Sequence, residues 1–315
     1  MKQKFNNMIH LEGYFYDHKL EEKKTGPSSK NPGSPYIAGI VYVATDEKML
    51  NIVPVHFRFV SPVTSKGNTN TTYTTLEKLI RDNKTVMSVG KENAEKITID
   101  TSIRLNEWYR DLKDEKPVST PRAEGGFVHI VNEIDPKENV RNKFKVDVLI
   151  TGLNLVEPDE SKNITEHLVI RGAIFDDYSK TILPMQFTMR NPAGIKYFMG
   201  LEPSPKEPVF TCIWGKQVSQ TVRTETTVES AFGEDEVVVS ETTNREFLIT
   251  GANPETYVFD DEDYLTKEEV SKMMSDRELY LATIKKNQAE YQNKRAASSA
   301  ATANIDAIAE GKYDF

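Results

Sequence analysis

A chain of 315 residues, 38% apolar and 28% charged, has the material for two folded cores or for one large core with appendages. A single cysteine (Cys212) and five histidines exclude a disulfide framework and a Cys-rich zinc site, and no run of about 18 apolar residues is present to form a membrane-spanning helix. The net charge of −8 argues against a polyanionic partner for the chain as a whole, but residues 1–152 carry 23 Lys/Arg against 20 Asp/Glu, whereas 153–251 carry 9 against 15 and 252–315 carry 8 against 13.

The opening segment, Met1-Lys-Gln-Lys-Phe-Asn-Asn, lacks an apolar signal core, which predicts a cytoplasmic protein. From Ile9 to Tyr16 apolar and polar residues alternate, with Ile9, Leu11 and Phe15 on one face and His10, Tyr14 and Tyr16 on the other. Strand signals follow at Tyr36–Ala44, where Tyr36 and Tyr42 share a face, and at Asn51–Val60. In the latter, Val53, Val55, Phe57 and Phe59 are expected inside and Pro54, His56 and Arg58 outside. After a polar loop, Thr74-Thr-Leu-Glu77 reads as a capping box that opens a short helix through Leu76, Leu79 and Ile80. Ile97–Tyr109 is again a strand, with Ile103 and Leu105 on one face and Arg104, Asn106, Trp108 and Arg110 on the other. Asp111–Gly126 reads as a loop and Phe144–Thr151 as the last strand of this unit. Three strands, a helix and two strands is the order of an OB-fold, a five-stranded Greek-key barrel.

The pattern then recurs. Asp46–Phe59 aligns without gaps on Asp176–Met189, with Asp, Ile, Pro and Phe coinciding, and Leu149-Ile-Thr-Gly152 returns as Leu248-Ile-Thr-Gly251. Strands are expected at Leu168–Phe175, Thr181–Arg190, Val209–Val228 and Val237–Thr250, with a helical turn near Ala193–Met199. Asp260-Asp-Glu-Asp263 lacks the glycine and terminal Glu of a calcium loop and reads as a solvated turn. Thr266-Lys-Glu-Glu269 is a second capping box, followed by Val270, Met273, Met274, Leu281, Ile284 and Tyr291 at helical spacing. An Ala/Ser-rich spacer leads to the acidic-aromatic tip Tyr313-Asp314-Phe315. The expected architecture is mainly β: tandem OB-fold-like barrels over 1–155 and 165–255, a C-terminal helix over 264–295 and a flexible tail over 296–315.

Ile9–Asp17, Tyr36–Ala44 and Asn51–Phe59 resemble the opening strands of single-stranded-DNA-binding (SSB) proteins. Glu229-Ser-Ala-Phe-Gly-Glu234, with Ile249-Thr-Gly-Ala-Asn-Pro254, is similar to replication-type proteins of bacteriophages of Gram-positive hosts. The resemblance spans most of residues 9–290; the tip matches the bacterial SSB tail in part, since that tail is richer in Asp and ends Pro-Phe. It implies sequence-independent binding of single-stranded DNA in phage replication or recombination, with no cofactor and with replication or recombination proteins as partners of the tail. No Gly-x4-Gly-Lys-Ser/Thr loop, His-Glu-x-x-His or Gly-x-Ser-x-Gly occurs, so no enzyme is expected.

Single-strand binders place cations for the phosphates beside aromatic faces for the bases. The outward sets supply Tyr14, Tyr16, Tyr36, Tyr42, His56, Arg58, Arg104, Trp108 and Arg110, and the following loop adds Lys113 and Arg122. The basic loops His18–Pro35 and Asp111–Gly126 fall where an OB-fold carries its 1–2 and 4–5 loops, which flank the ligand. The second unit offers Arg190, Tyr197, Trp214 and Lys216 as secondary contacts amid more acid, so its expected role is packing or formation of a homo-oligomer. The rival reading is a non-enzymatic structural or virion-assembly protein of two β-barrels. It accounts for the acidity and the duplication, but not for the basic and aromatic residues gathered in one copy.

Overall fold

The alternating segments of the N-terminal part, through residue 131, close into a ring in the computed structural model, which describes residues 5–162, 164–176, 181–228, 232, 236–258 and 265–309. Its elements are β1 (Asn7–His18), β2 (Glu21–Lys24), β3 (Pro35–Ala44), β4 (Ile52–Val60), α1 (Thr71–Asp82), α2 (Val86–Val89), β5 (Lys96–Trp108) and β6 (Val118–Val131). β1 pairs antiparallel with β3 and β5, β3 with β4, and β5 with β6, and a parallel β4–β6 contact closes the circle. This is the Greek-key order of an OB-like barrel. The expected inward residues Ile9, Leu11, Phe15, Val53, Val55, Phe57, Ile103 and Leu105 are all buried.

A second ring repeats the order with β7 (Asn142–Val156), β8 (His167–Asp176), β9 (Thr181–Met189), α3 (Pro192–Met199), β10 (Val209–Val228) and β11 (Glu236–Ala252). β7 pairs with β8 and β10, β8 with β9, and β10 with β11, and a single parallel contact of β9 with β11 closes it. The aligned segments Asp46–Phe59 and Asp176–Met189 thus contain the third strand of each ring. The rings are joined edge to edge by antiparallel pairing of their first strands, with Asn7 opposite Val146, Ile9 opposite Phe144 and Leu11 opposite Asn142.

The first helix opens at Thr71 behind the cap Asn70, whose Oδ1 accepts from the Thr72 N–H at 3.1 Å, rather than on a Thr74–Glu77 box. Three further expectations need correction. Phe144–Thr151 lies in β7, the first strand of the second ring, so that ring begins at Asn142 rather than after residue 155. For the same reason Leu149–Gly152 and Leu248–Gly251 occupy non-equivalent strands. The missing fifth strand of the first ring is β6, which runs through much of the segment read as a loop. Pro121 and the Gly125-Gly126 pair are ordinarily strand breakers. Here the glycines form a bulge with φ of +72° and +101°, and a Cβ on Gly126 would meet the Asp100 carbonyl oxygen at 2.0 Å. They bend β6 around the ring instead of ending it.

The third correction concerns the C-terminus. α4 runs from Lys267 to Ala309, so the C-terminal helix continues past the end expected at residue 295. Alanine is the strongest helix former, so the Ala-rich run propagates the helix. At 1.5 Å per residue the helix is about 65 Å long. Its capping box forms as expected, with Glu269 N–H donating to Thr266 Oγ1 at 3.2 Å and Thr266 N–H to Glu269 Oε2 at 3.1 Å. Val270 and Met273 pack on a small cluster of Leu149, Phe175, Ile182, Phe210 and Leu265 outside the second ring. Tyr313, Asp314 and Phe315 lie outside the described residues, as do Asp260–Asp263 and all of Glu229–Glu234 except Phe232. Among the described residues no helix is long and apolar enough to cross a membrane.

Candidate nucleic-acid interface

The outer face of the first ring gathers charge where β4, β6 and β5 lie side by side. Register sets this: His56 stands opposite Glu124 across β4–β6, and Arg104 opposite Arg122 across β5–β6. Glu124, 5% exposed, is the hub. Arg122 Nη2 lies 2.6 Å from its Oε2, Arg58 Nε 2.9 Å from its Oε1, and Arg104 Nη1 4.0 Å from Oε1. Three guanidiniums thus gather on the carboxylate of Glu124, with Asp176 and the Arg277-paired Glu107 nearby, and together they present cationic groups to an anionic ligand. Burial pushes the His56 imidazole down to about 4, and the guanidiniums of Arg122, Arg245 and Arg58 reinforce it, so His56 is neutral at pH 7. Burial also lowers Arg122, offset by Glu124.

Aromatic faces flank the cluster at both ends. Trp108, 39% exposed, closes β5 and leads into a short loop carrying the exposed Arg110 and Lys113. On the other side, Tyr36 and Phe59 stack with ring centroids 4.5 Å apart. Phe59 is 57% exposed, against the inward position expected from alternation. The cause is a bulge: Ile37 pairs with Val60 and Gly39 with Phe57, so Arg58 and Phe59 together oppose the single Ala38, and both turn outward. Gly39 makes this possible with φ +142°, where a Cβ would stand 1.9 Å from the Lys19 carbonyl oxygen. Phe59 borders an open cleft of about 580 Å³ that also includes Lys30 and Asn31 of the β2–β3 loop.

Not every expected residue joins this surface. Tyr14 donates to Glu47 Oε2 at 3.2 Å under Lys91, whose Nζ is 5.2 Å from the ring centroid. Lys91 and Arg141 each hold Glu47 at 2.6 Å and bring its carboxyl down to about 2. Tyr14 pairs opposite Lys96, eight residues along β5 from Arg104 and hence about 26 Å away. Tyr16 is half-buried next to Asp17, which pairs with Tyr42, so these two tyrosines share the β1–β3 flank rather than the arginine cluster. In the second ring, Arg190 grips Glu246 with two bonds of 2.5 and 3.0 Å, and with Lys216 it lines a cleft toward the β3–β4 loop of the first ring. Tyr197 donates its hydroxyl to the Asn253 carbonyl at 2.8 Å. Trp214, 38% exposed, lies over Gly251, where an added Cβ would come within 2.4 Å of the indole nitrogen.

Periodicity could not reveal that α4 walls the site. Arg277 forms a buried ion pair with Glu107, one of its bonds measuring 2.8 Å. Gln288 accepts from the Tyr109 N–H at 2.9 Å and donates to the Tyr109 carbonyl at 2.5 Å. Lys285 donates to the Asp114 carbonyl at 2.9 Å, with its Nζ 5.0 Å over the Tyr109 ring. Tyr280 reaches the arginine cluster and shares a small pocket of about 70 Å³ with Arg58, Arg104, Glu124 and Asp176. Burial, then Glu107, raises its phenol above the ordinary range.

Comparison with known proteins adds a family and a distant structural likeness. The profile of the YorF family matches residues 6–287. Among solved structures, a deletion mutant of the single-stranded DNA binding protein from Thermus aquaticus aligns with a TM-score of 0.46 and 10% sequence identity, over 82% of this chain and 98% of that one. No curated protein matches the sequence.

Proposed function

We propose that this chain, which belongs to the YorF family, binds single-stranded DNA without regard to base sequence and catalyses no reaction. The observation that carries the reading is the group of Arg58, Arg104 and Arg122 around the buried Glu124, set between the exposed rings of Trp108 and Phe59. Guanidiniums neutralise phosphates and release their counterions, and ring faces stack on bases of any identity. Arg110 and Lys113 extend the cationic surface from the β5–β6 loop, and Tyr36 backs the Phe59 ring. We place the activity in DNA replication or recombination of bacteriophage type, on the resemblance of the strands and of the Glu229–Glu234 stretch. Tyr313-Asp314-Phe315 is assigned to docking of replication or recombination proteins.

The test is titration with oligo-dT at several salt concentrations. Trp214 is as exposed as Trp108, so a Trp214→Phe variant isolates the reporter in the site. Quenching of the remaining indole with at least micromolar affinity, weakening steeply with salt, supports the reading. Absence of binding at low salt overturns it and leaves the assembly protein as the alternative. Removing residues 310–315 is expected to spare DNA binding while abolishing contacts with replication partners in pull-down.

A further inference from the structure

A second cationic surface lies between the rings. A cleft of about 700 Å³ opens between Ser119–Pro121 of β6 and the outer face of β8 and β9, with β11 along its side. Arg171 projects into it from β8 and Arg245 from β11, both exposed. Neither has a carboxylate partner among the described residues. Thr120, Gln186 and Thr188 add neutral donors. The carboxylate on the cleft wall, Glu246, is already neutralised by the two hydrogen bonds it accepts from Arg190. Phe247, the aromatic residue of the lining, is only 6% exposed and offers no ring face to a base.

This chemistry differs from that of the first ring. It has free guanidiniums and hydrogen-bond donors but no stacking platform, which suits a sugar-phosphate backbone rather than bases. The cleft is also continuous with the arginine cluster. Thr120 and Arg122, two residues apart, share one face of β6, with Thr120 lining the cleft and Arg122 gripping Glu124. His56 at the margin lies in the field of Arg122 and Arg58 from one ring and Arg245 from the other.

We infer that a bound single strand of DNA leaves the first ring past Arg122 and enters the cleft between the rings, where Arg171 and Arg245 hold its phosphates. The inference rests on the single-strand reading above and changes the role of the second ring from packing to grip on the backbone.

The experiment uses the full chain with two probes: an oligo-dT of about 8 nucleotides, within the span of one barrel, and one of about 30, long enough to cross both. A double variant, Arg171→Ala with Arg245→Ala, is expected to bind the long oligo about tenfold more weakly at low salt. Its slope of log affinity against log salt should shrink by about 1.4, two phosphates at about 0.7 each. The short oligo should bind it as it binds the wild type, and Arg→Lys at both positions should restore the slope. Equal affinity and slope for the double variant and a wild type that binds the long oligo would overturn the cleft and leave the single-strand reading standing. A wild type that binds neither oligo overturns both.

Discussion

Glu124 organises the candidate surface at the scale of single residues. Without it, Arg58, Arg104 and Arg122 would repel one another more strongly on adjacent strands; with it, Arg58 and Arg122 are fixed by bonds of 2.9 and 2.6 Å. Such fixed guanidiniums lose little side-chain freedom when a phosphate arrives. The aromatic contribution is separable from this. Trp108→Ala and Phe59→Ala are each expected to weaken oligo-dT binding by about 1–3 kcal/mol, the range for one stacked base. Anisotropy of a labelled oligo measures both variants, and unchanged affinity with an intact fold would remove that ring from the interface. Tyr14→Phe, in contrast, should leave binding alone, since its hydroxyl serves Glu47 at the other end of β5.

Among the elements, α4 does the least expected work. It reads as an ordinary amphipathic helix, yet it fastens the second ring to the end of β5 through Arg277, Lys285 and Gln288. Glu107 and Arg277 have 1% and 9% side-chain exposure, so Arg277→Ala strands a buried carboxylate. The expected loss is about 3–5 kcal/mol in urea unfolding, and a loss below about 1 kcal/mol would show that the pair is solvated in solution. Most strands were legible because alternation is a local signal: β10 was bounded at Val209–Val228 from sequence, and β5, β8, β9 and β11 to within two residues. What alternation could not supply was anything fixed by a partner strand. Phe59 turns outward because of the register of β3, and β6 continues through Gly125-Gly126 because the two glycines bulge opposite the single Thr101 of β5. The arginine cluster was half legible for the same reason. Arg58, Arg104 and Arg122 were in view, but the carboxylate they share is apparent only once β6 lies between β4 and β5.

The molecule as a whole is expected to lose stability in mild acid at the seam between its rings. The folded His56 titrates near 4, below its ordinary 6.5, so between those values the unfolded chain binds more protons than the folded one. Stability therefore declines as pH falls through that window and levels off beneath it. Glu47, held near 2, acts only at lower pH, from its ordinary 4.5 downward. Urea midpoints at about pH 7.5 and about pH 5 should differ less for His56→Gln than for the wild type; an equal drop in both would place the sensitivity elsewhere.

The pairing of β1 with β7 has a further consequence. Each is the opening strand of its ring, and they meet antiparallel as the same strand of two subunits would across a dyad. The chain is in this respect a dimer tied together by covalent continuity. Two separate copies would come apart on dilution, whereas these halves meet at any concentration. Nor are they bound to remain alike: one half carries three arginines on a shared carboxylate, and the other spends Arg190 on its own Glu246. A symmetric assembly of identical copies cannot divide labour in that way.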